Sequence, residues 1–293
     1  MNKLLTFSFI GGDLRQLRVM TSLAEDGYRI KALGFSGERI GEASDIYLAR
    51  GLEDCLDGAD IAVFPVPYSD GGECVNAPFS DAPIFVSEVV RKMNDEQILL
   101  AGRMDARLET ITELYNVHAI DYMEREELAV LNAIPTAEGA IEIAISETPF
   151  TIHGSPCLVI GYGRIGKVLS RSLAGMGADV CAAARKYSDL AWIKANSLKG
   201  IRIKDLSENI GKFRLIFNTA PAPILDHKTL SKVRDDCLII DLASRPGGVD
   251  FESAKELGKK VVWALSLPGK VAPEGAGDIM KDAIVNILEE LGV

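Results

Sequence analysis

The stretch VIGYGRIGKVLSRSLAGMGADVCAAARK, residues 159–186, decides the reading of this chain. An apolar run reaches Ile160, a GxGxxG turn follows at Gly161, Gly163 and Gly166, an amphipathic segment comes next, and a second apolar run ends at Ala184. Strand, turn, helix and strand in that order form the context in which a glycine-rich turn binds a pyrophosphate. Gly161 permits the tight turn, Gly163 lets the backbone approach phosphate, and Gly166 lets the helix lie close to the strand. The helix start offers unpaired amide groups and a partial positive charge, so Arg164 and Ile165 join the expected cofactor-binding residues.

An acid about 20 residues beyond such a turn ordinarily bonds the adenosine ribose 2′-hydroxyl. Here Ala184 stands in that place, and Arg185 and Lys186 follow at once. A carboxylate would repel a 2′-phosphate, whereas Arg grips one with two parallel hydrogen bonds. Ser188 adds a hydroxyl. The pattern predicts NADP(H) as the cofactor.

Working outward, residues 4–10 read as a strand, Gly11-Gly12-Asp13 as a turn, residues 14–25 as an amphipathic helix, and residues 28–35 as the next strand. Residues 59–67 form another, with prolines where a loop should begin. Residues 84–86 and 98–101 read as short strands with a helix, 87–94, between them. Strands alternating with helices imply a parallel sheet covered on both faces. The first turn lacks the GxGxxG spacing, and Asp13 would oppose a pyrophosphate, so no second dinucleotide is assigned there. Arg15 is a candidate to contact substrate.

Residues 122–131 read as a helix. After Pro135, Thr136 is a plausible helix N-cap, and Pro149 stops the helix that follows. Thr136 and Glu138 are expected near a cleft between domains. The second unit continues with strands at 157–160, 179–184, 200–203, 215–218, 237–242 and 260–264. The expected organisation is therefore α/β with two domains. Residues 1–126 form a flavodoxin/Rossmann-like N-terminal domain and 150–272 a doubly wound NAD(P)-binding Rossmann domain, with 127–149 connecting them and a cleft between. The C-terminal helix, 275–293, is expected to pack back on the first domain.

The 293 residues exceed what one core usually takes. A net charge of −10 gives no broad basic field for nucleic acid. Five scattered cysteines without a CxxC pair read as reduced, buried thiols. Three histidines in no ligand spacing argue against a metal site. No run approaches the roughly 18–20 apolar residues of a membrane span, so a cytoplasmic protein is expected.

Ligands of an open α/β sheet lie beyond the carboxyl ends of its strands. Those ends carry Asn218-Thr219-Ala220, expected beside the nicotinamide ribose, then Ser244-Arg245-Pro246-Gly247-Gly248, then Leu267-Pro268-Gly269-Lys270. Prolines and glycines should hold these segments away from helix. Arg245 and Lys270 bring two cations, which points to an anionic substrate, a small dicarboxylate.

The segment IIDLASRPGGVDFESAKEL resembles the strand-to-arginine segment of the D-2-hydroxyacid dehydrogenases, whose arginine binds a substrate carboxylate; Arg245 occupies that place. Those enzymes carry a catalytic histidine one strand later, where this chain has Leu267-Pro268-Gly269-Lys270 and no histidine. FIGGDLRQL, IPTAEGAIEIAI, FNTAPAPIL, LASRPGGVD and LPGKVAPEGAGDIM, with the glycine turn, resemble the dipicolinate synthase A-subunit family of spore-forming bacteria over nearly the full length. That resemblance implies NADP-linked oxidation of dihydrodipicolinate to dipicolinate, a separate flavodoxin-like dipicolinate synthase B-subunit as partner, and the mother-cell cytoplasm during sporulation. A homo-oligomer is expected as well. On this reading Arg245, Arg15 and Lys270 hold carboxylates, and Glu138 or Lys270 is the base. Two alternatives stay open. One is another NADP-dependent dehydrogenase of a small carboxylate; the other is a nucleotide-binding partner without turnover.

Overall fold

A computed structural model describes residues 5–40 and 45–293. Leu4, the first residue of the expected opening strand, lies outside them. The chain divides into two compact units, Met1–Leu131 with Ala272–Val293, and Asn132–Val271.

The first unit alternates β1 (Thr6–Ile10), α1 (Leu14–Glu25), β2 (Arg29–Leu33), α2 (Gly37–Ile40), β3 (Ile46–Leu48), α3 (Leu52–Leu56), β4 (Ile61–Val63), α4 (Val86–Lys92), β5 (Ile98–Ala101), α5 (Ala106–Leu114) and β6 (His118–Asp121), then α6 (Glu126–Leu131). The strands are parallel in the order β3-β2-β1-β4-β5-β6. This is the Rossmann order, 3-2-1-4-5-6. Every residue of β1 is buried, as a strand covered on both faces requires.

Three differences from the sequence pattern have local causes. Residues 84–86 supply only a lone antiparallel bridge, Cys74 to Phe85. Val86, Val89 and Val90 are buried at helical spacing, so the apolar residues there belong to α4. β3 and β6 are extra strands, three and four residues long, too short for alternation to show. Residues 122–131 are split: Asp121 accepts from the Met123 amide to close a 3-10 turn at Tyr122–Glu124, and α6 begins only beyond an extended Arg125.

In the second unit α7 (Ala133–Glu147) precedes β7 (Pro156–Ile160), α8 (Arg164–Gly175), β8 (Asp179–Ala184), α9 (Tyr187–Ala195), β9 (Lys199–Arg202), α10 (Leu206–Asn209), β10 (Leu215–Asn218), α11 (His227–Leu230), β11 (Leu238–Asp241), α12 (Phe251–Glu256), β12 (Lys260–Trp263) and α13 (Leu267–Val271). The parallel order β12-β11-β10-β7-β8-β9 repeats the arrangement of the first sheet. Register aligns the strand ends: Ile160 faces Ala183 and Asn218, Asn218 faces Asp241, and Ala184 faces Arg202.

Thr136 does not cap α7. The helix starts at Ala133, with Pro135 tolerated in its first turn, and the Thr136 hydroxyl donates to the Asn132 carbonyl at 2.7 Å. Leu267–Val271 is a short helix in spite of its proline and glycine. Gly139 explains the fit, since a Cβ there would lie 3.1–3.2 Å from Val271 and Leu267, so α7 and α13 touch backbone to side chain. By length and composition Glu126–Glu147 is apolar enough to cross a membrane, which the sequence reading excluded for every run. A turn at Asn132 divides it, and Ala137, Ala140 and Ala144 are fully buried in the core of the second unit. Cys55, Cys157, Cys181 and Cys237 are buried free thiols. Desolvation pushes Cys181 up to about 11.

The final helix, α14 (Pro273–Leu291), belongs to the first unit and packs along α1. It buries Met280, Ala283, Ile284 and Ile287 in the core that holds Phe7, Val19 and Leu23. Arg18 Nε reaches Asp278 at 2.6 Å, and Arg125 pairs with Glu290. Gly277 sets the spacing, because a Cβ there would lie 2.6 Å from Arg18 Cβ and 2.7 Å from the Arg15 carbonyl. Gly277→Val should therefore lower the unfolding free energy by about 1–3 kcal/mol through overpacking. Urea titration measures it, and an unchanged midpoint would show that the two helices have room.

Candidate functional site

The turn after β7 is a convergence of backbones. Gly161 has φ +96°, and a side chain on it would run into the Thr219 hydroxyl. That hydroxyl donates to the Ile160 carbonyl at 3.0 Å, and the Thr219 amide donates to the same oxygen at 2.8 Å. A Cβ on Gly166 would overlap the Gly161 carbonyl. Packing within the chain thus accounts for two of the three glycines.

Gly163 is different. Its φ of −80° is ordinary, and a Cβ there would meet nothing within 4 Å. Nothing in the fold demands a bare backbone at this position, and a glycine there leaves room for a phosphate to approach the chain. Gly163 is the N-cap of the 12-residue α8 and supplies no side-chain cap, which leaves the first amides of the helix for an anion. A dinucleotide pyrophosphate fits these residues. Arg164 opens α8 on the exposed side, and Ile165 packs into the core behind it.

β8 stops at Ala184, and Arg185, Lys186 and Ser188 are all exposed where the chain turns into α9. The next strand adds a cation that the sequence pattern did not single out. Arg202, paired in register with Ala184, stacks over the Tyr187 ring at 4.4 Å and donates to its hydroxyl at 2.6 Å. Its Nε is buried and has no hydrogen-bond partner. The only advance signal was a cation at the end of the neighbouring strand, which carries no motif.

Asn218 points inward. It is fully buried, and its Nδ2 donates to Asp241 at 2.8 Å and to the Ala220 carbonyl at 3.1 Å. The same carboxyl accepts from the Ala243 and Gly248 amides at 3.1 and 2.8 Å. Asn218 therefore ties loops together, and Thr219 and Ala220 are the partly exposed groups at this strand end. Asp241 is the residue that sequence reasoning missed here, because a buried acid at the end of an apolar run has no spacing to announce it.

Arg245 rides on the loop that Asp241 braces. It is exposed, with its guanidinium 5.8 Å above the Trp263 ring, whose Nε1 donates to the Ala243 carbonyl at 3.0 Å. Lys270 is exposed on α13 and Glu138 on α7, the two helices that touch at Gly139. The structure thus brings Glu138 and Lys270 onto adjoining helices. The Thr136 hydroxyl is already engaged. No histidine lies in this set: His227 opens α11 and His153 packs beneath Gly177.

Arg15 sits in the first unit, where its Nε and Nη2 bond Asp13 at 2.7–3.1 Å and Nη2 also donates to the Val66 carbonyl at 2.6 Å. Only 12% of the side chain is exposed. The space that a ligand would need beside that turn is filled: a Cβ on Gly11 would lie 2.9–3.0 Å from Val75, Asn76 and Ala77.

Comparison with known proteins agrees with this geometry. Residues 6–123 match the N-terminal domain of the dipicolinate synthase A-subunit, and residues 138–254 match the NAD-binding domain of D-isomer specific 2-hydroxyacid dehydrogenases. The dipicolinate synthase A-subunit of Bacillus subtilis (strain 168) is 33% identical over 98% of this chain and 97% of its own length. The crystal structure of the dipicolinate synthase A-subunit from Bacillus halodurans superposes with a TM-score of 0.91, at 31% identity, covering 98% of this chain and 99% of that one. A transhydrogenase from Sinorhizobium meliloti, 14% identical with a TM-score of 0.70 over 98% of this chain and 94% of that one, shares the fold alone. The second unit is a nicotinamide-dinucleotide-binding domain of an oxidoreductase type.

Asp241→Asn places an amide donor against backbone amides and should cost about 2 kcal/mol of stability. Denaturant unfolding reads the loss, and a wild-type midpoint would remove Asp241 from its bracing role.

Proposed function

Because the chain belongs to the dipicolinate synthase A-subunit family, we propose that it oxidises dihydrodipicolinate to dipicolinate with NADP+ as the electron acceptor. A bound nicotinamide would supply the hydride acceptor, and Lys270 or Glu138 would receive the ring proton. Atoms balance as one hydride and one proton lost from the dihydropyridine ring. Aromatisation provides driving force, which leaves orientation and exclusion of water to the chain.

The observation that carries the coenzyme choice is the end of β8, where no acid stands and Arg185 and Lys186 are exposed. Gly161, Gly163, Arg164, Ile165 and Gly166 hold the pyrophosphate; Thr219 and Ala220 border the ribose; Arg185, Lys186 and Ser188 take the 2′-phosphate. Arg245 holds a substrate carboxylate, and Lys270 or Glu138 receives the proton. The donors of Arg15 and Thr136 are already engaged within the chain, which leaves both residues a structural part. A separate flavodoxin-like B-subunit, self-association and the mother-cell cytoplasm complete the proposal. The missing imidazole disfavours hydroxy-acid oxidation, and a panel of small carboxylates scored by reduced-cofactor absorbance separates the two chemistries.

Arg185→Ala/Lys186→Ala should weaken NADPH binding about 10- to 100-fold, the loss of one charge-assisted contact or more, and change NADH binding little. Calorimetry measures both, and equal wild-type affinities for the two coenzymes would defeat the assignment. Arg245→Ala should lower kcat/KM for dihydrodipicolinate about 100-fold; full activity would show that the substrate is held elsewhere.

A further inference from the structure

Tyr162 lies between the first two glycines of the turn. It is 6% exposed and packs with Ala182, Ala184 and Ile193. Its hydroxyl reaches a cavity of about 490 Å³ between α8 and α9. That size is in the range of small-molecule sites.

The lining is chemically selective. Lys167 and Arg171 stand four residues apart on one face of α8, and among the described residues neither has an ion-pair or hydrogen-bond partner. Such positions are neighbours, about 6 Å apart at Cβ. No acidic residue lines the cavity. Trp192 forms a wall while 60% exposed, an open aromatic face on a surface helix. Asn196 donates to the Trp192 carbonyl at 2.8 Å and to the Tyr162 hydroxyl at 3.4 Å, which leaves the phenol proton for an acceptor in the cavity. Leu198 adds apolar surface. Two uncompensated cations beside an indole face suit a flat ring with two negative groups, through cation–carboxylate bonds and ring stacking.

We propose that this cavity binds a planar aromatic dicarboxylate, with the ring against Trp192 and the carboxylates on Lys167 and Arg171. The site shares Tyr162 with the dinucleotide turn but none of the glycines or Arg245, and it stands whether or not the oxidation proposed above is correct.

The full chain labelled with 5-fluorotryptophan gives two fluorine resonances, for Trp192 and Trp263; Trp192→Phe assigns them. Titration with pyridine-2,6-dicarboxylate should move the Trp192 resonance saturably. Lys167→Gln/Arg171→Gln, both at exposed positions, should raise the midpoint at least about tenfold, as loss of a charge-assisted contact implies, and pyridine-2-carboxylate should bind about as weakly to wild type. A stationary Trp192 resonance, movement confined to Trp263, or an unchanged midpoint in the double variant would overturn the proposal. Equal binding of the mono- and dicarboxylate would overturn the ligand class.

Discussion

The second unit depends on one close approach. Three pieces of chain meet where β7 ends: the Gly161 turn, the start of α8 at Gly166, and Thr219 at the end of β10. The Thr219 hydroxyl occupies the volume a side chain would need, and in return it satisfies the Ile160 carbonyl. Once the backbones are that close, α8 starts directly at the carboxyl end of the central strand β7, with no side-chain cap on its first amides.

The first unit has the same strand order and a glycine turn in the same place, yet it is built for something else. Asp13 caps α1 through the Arg15 amide, so a carboxyl stands where a phosphate would go. Arg15 neutralises it and anchors the turn to Val66. Val75, Asn76 and Ala77 fill the remaining space. A shared sheet topology therefore fixes where a ligand crevice could lie, and the side chains at one turn decide whether it remains open.

Long periodic segments and glycine spacing were legible in the sequence, and so the two α/β units and the dinucleotide turn were as well. Asp13 was readable as an opponent of phosphate because charge at a helix start has a known sign. Short elements were not: β3 and β6 have too few residues for alternation to register. Thr136 misled because a threonine after proline looks like a cap, while the local backbone had already turned helical at Ala133. Asn218 looked like a ligand contact because it ends a strand, but its partner Asp241 lies 23 residues away in the chain. Arg202 likewise acquires meaning only from the register that sets it beside Ala184. What the sequence concealed was long-range pairing, which no local pattern encodes.

The place of α14 has a consequence for biosynthesis. The first unit is interrupted by the second and is completed by a helix translated after it, so residues 132–271 are all synthesised before the helix that covers Phe7 and Val19. The nascent amino-terminal half carries an open apolar face until Met280, Ile284 and Ile287 are in place, the kind of transient exposure that invites aggregation.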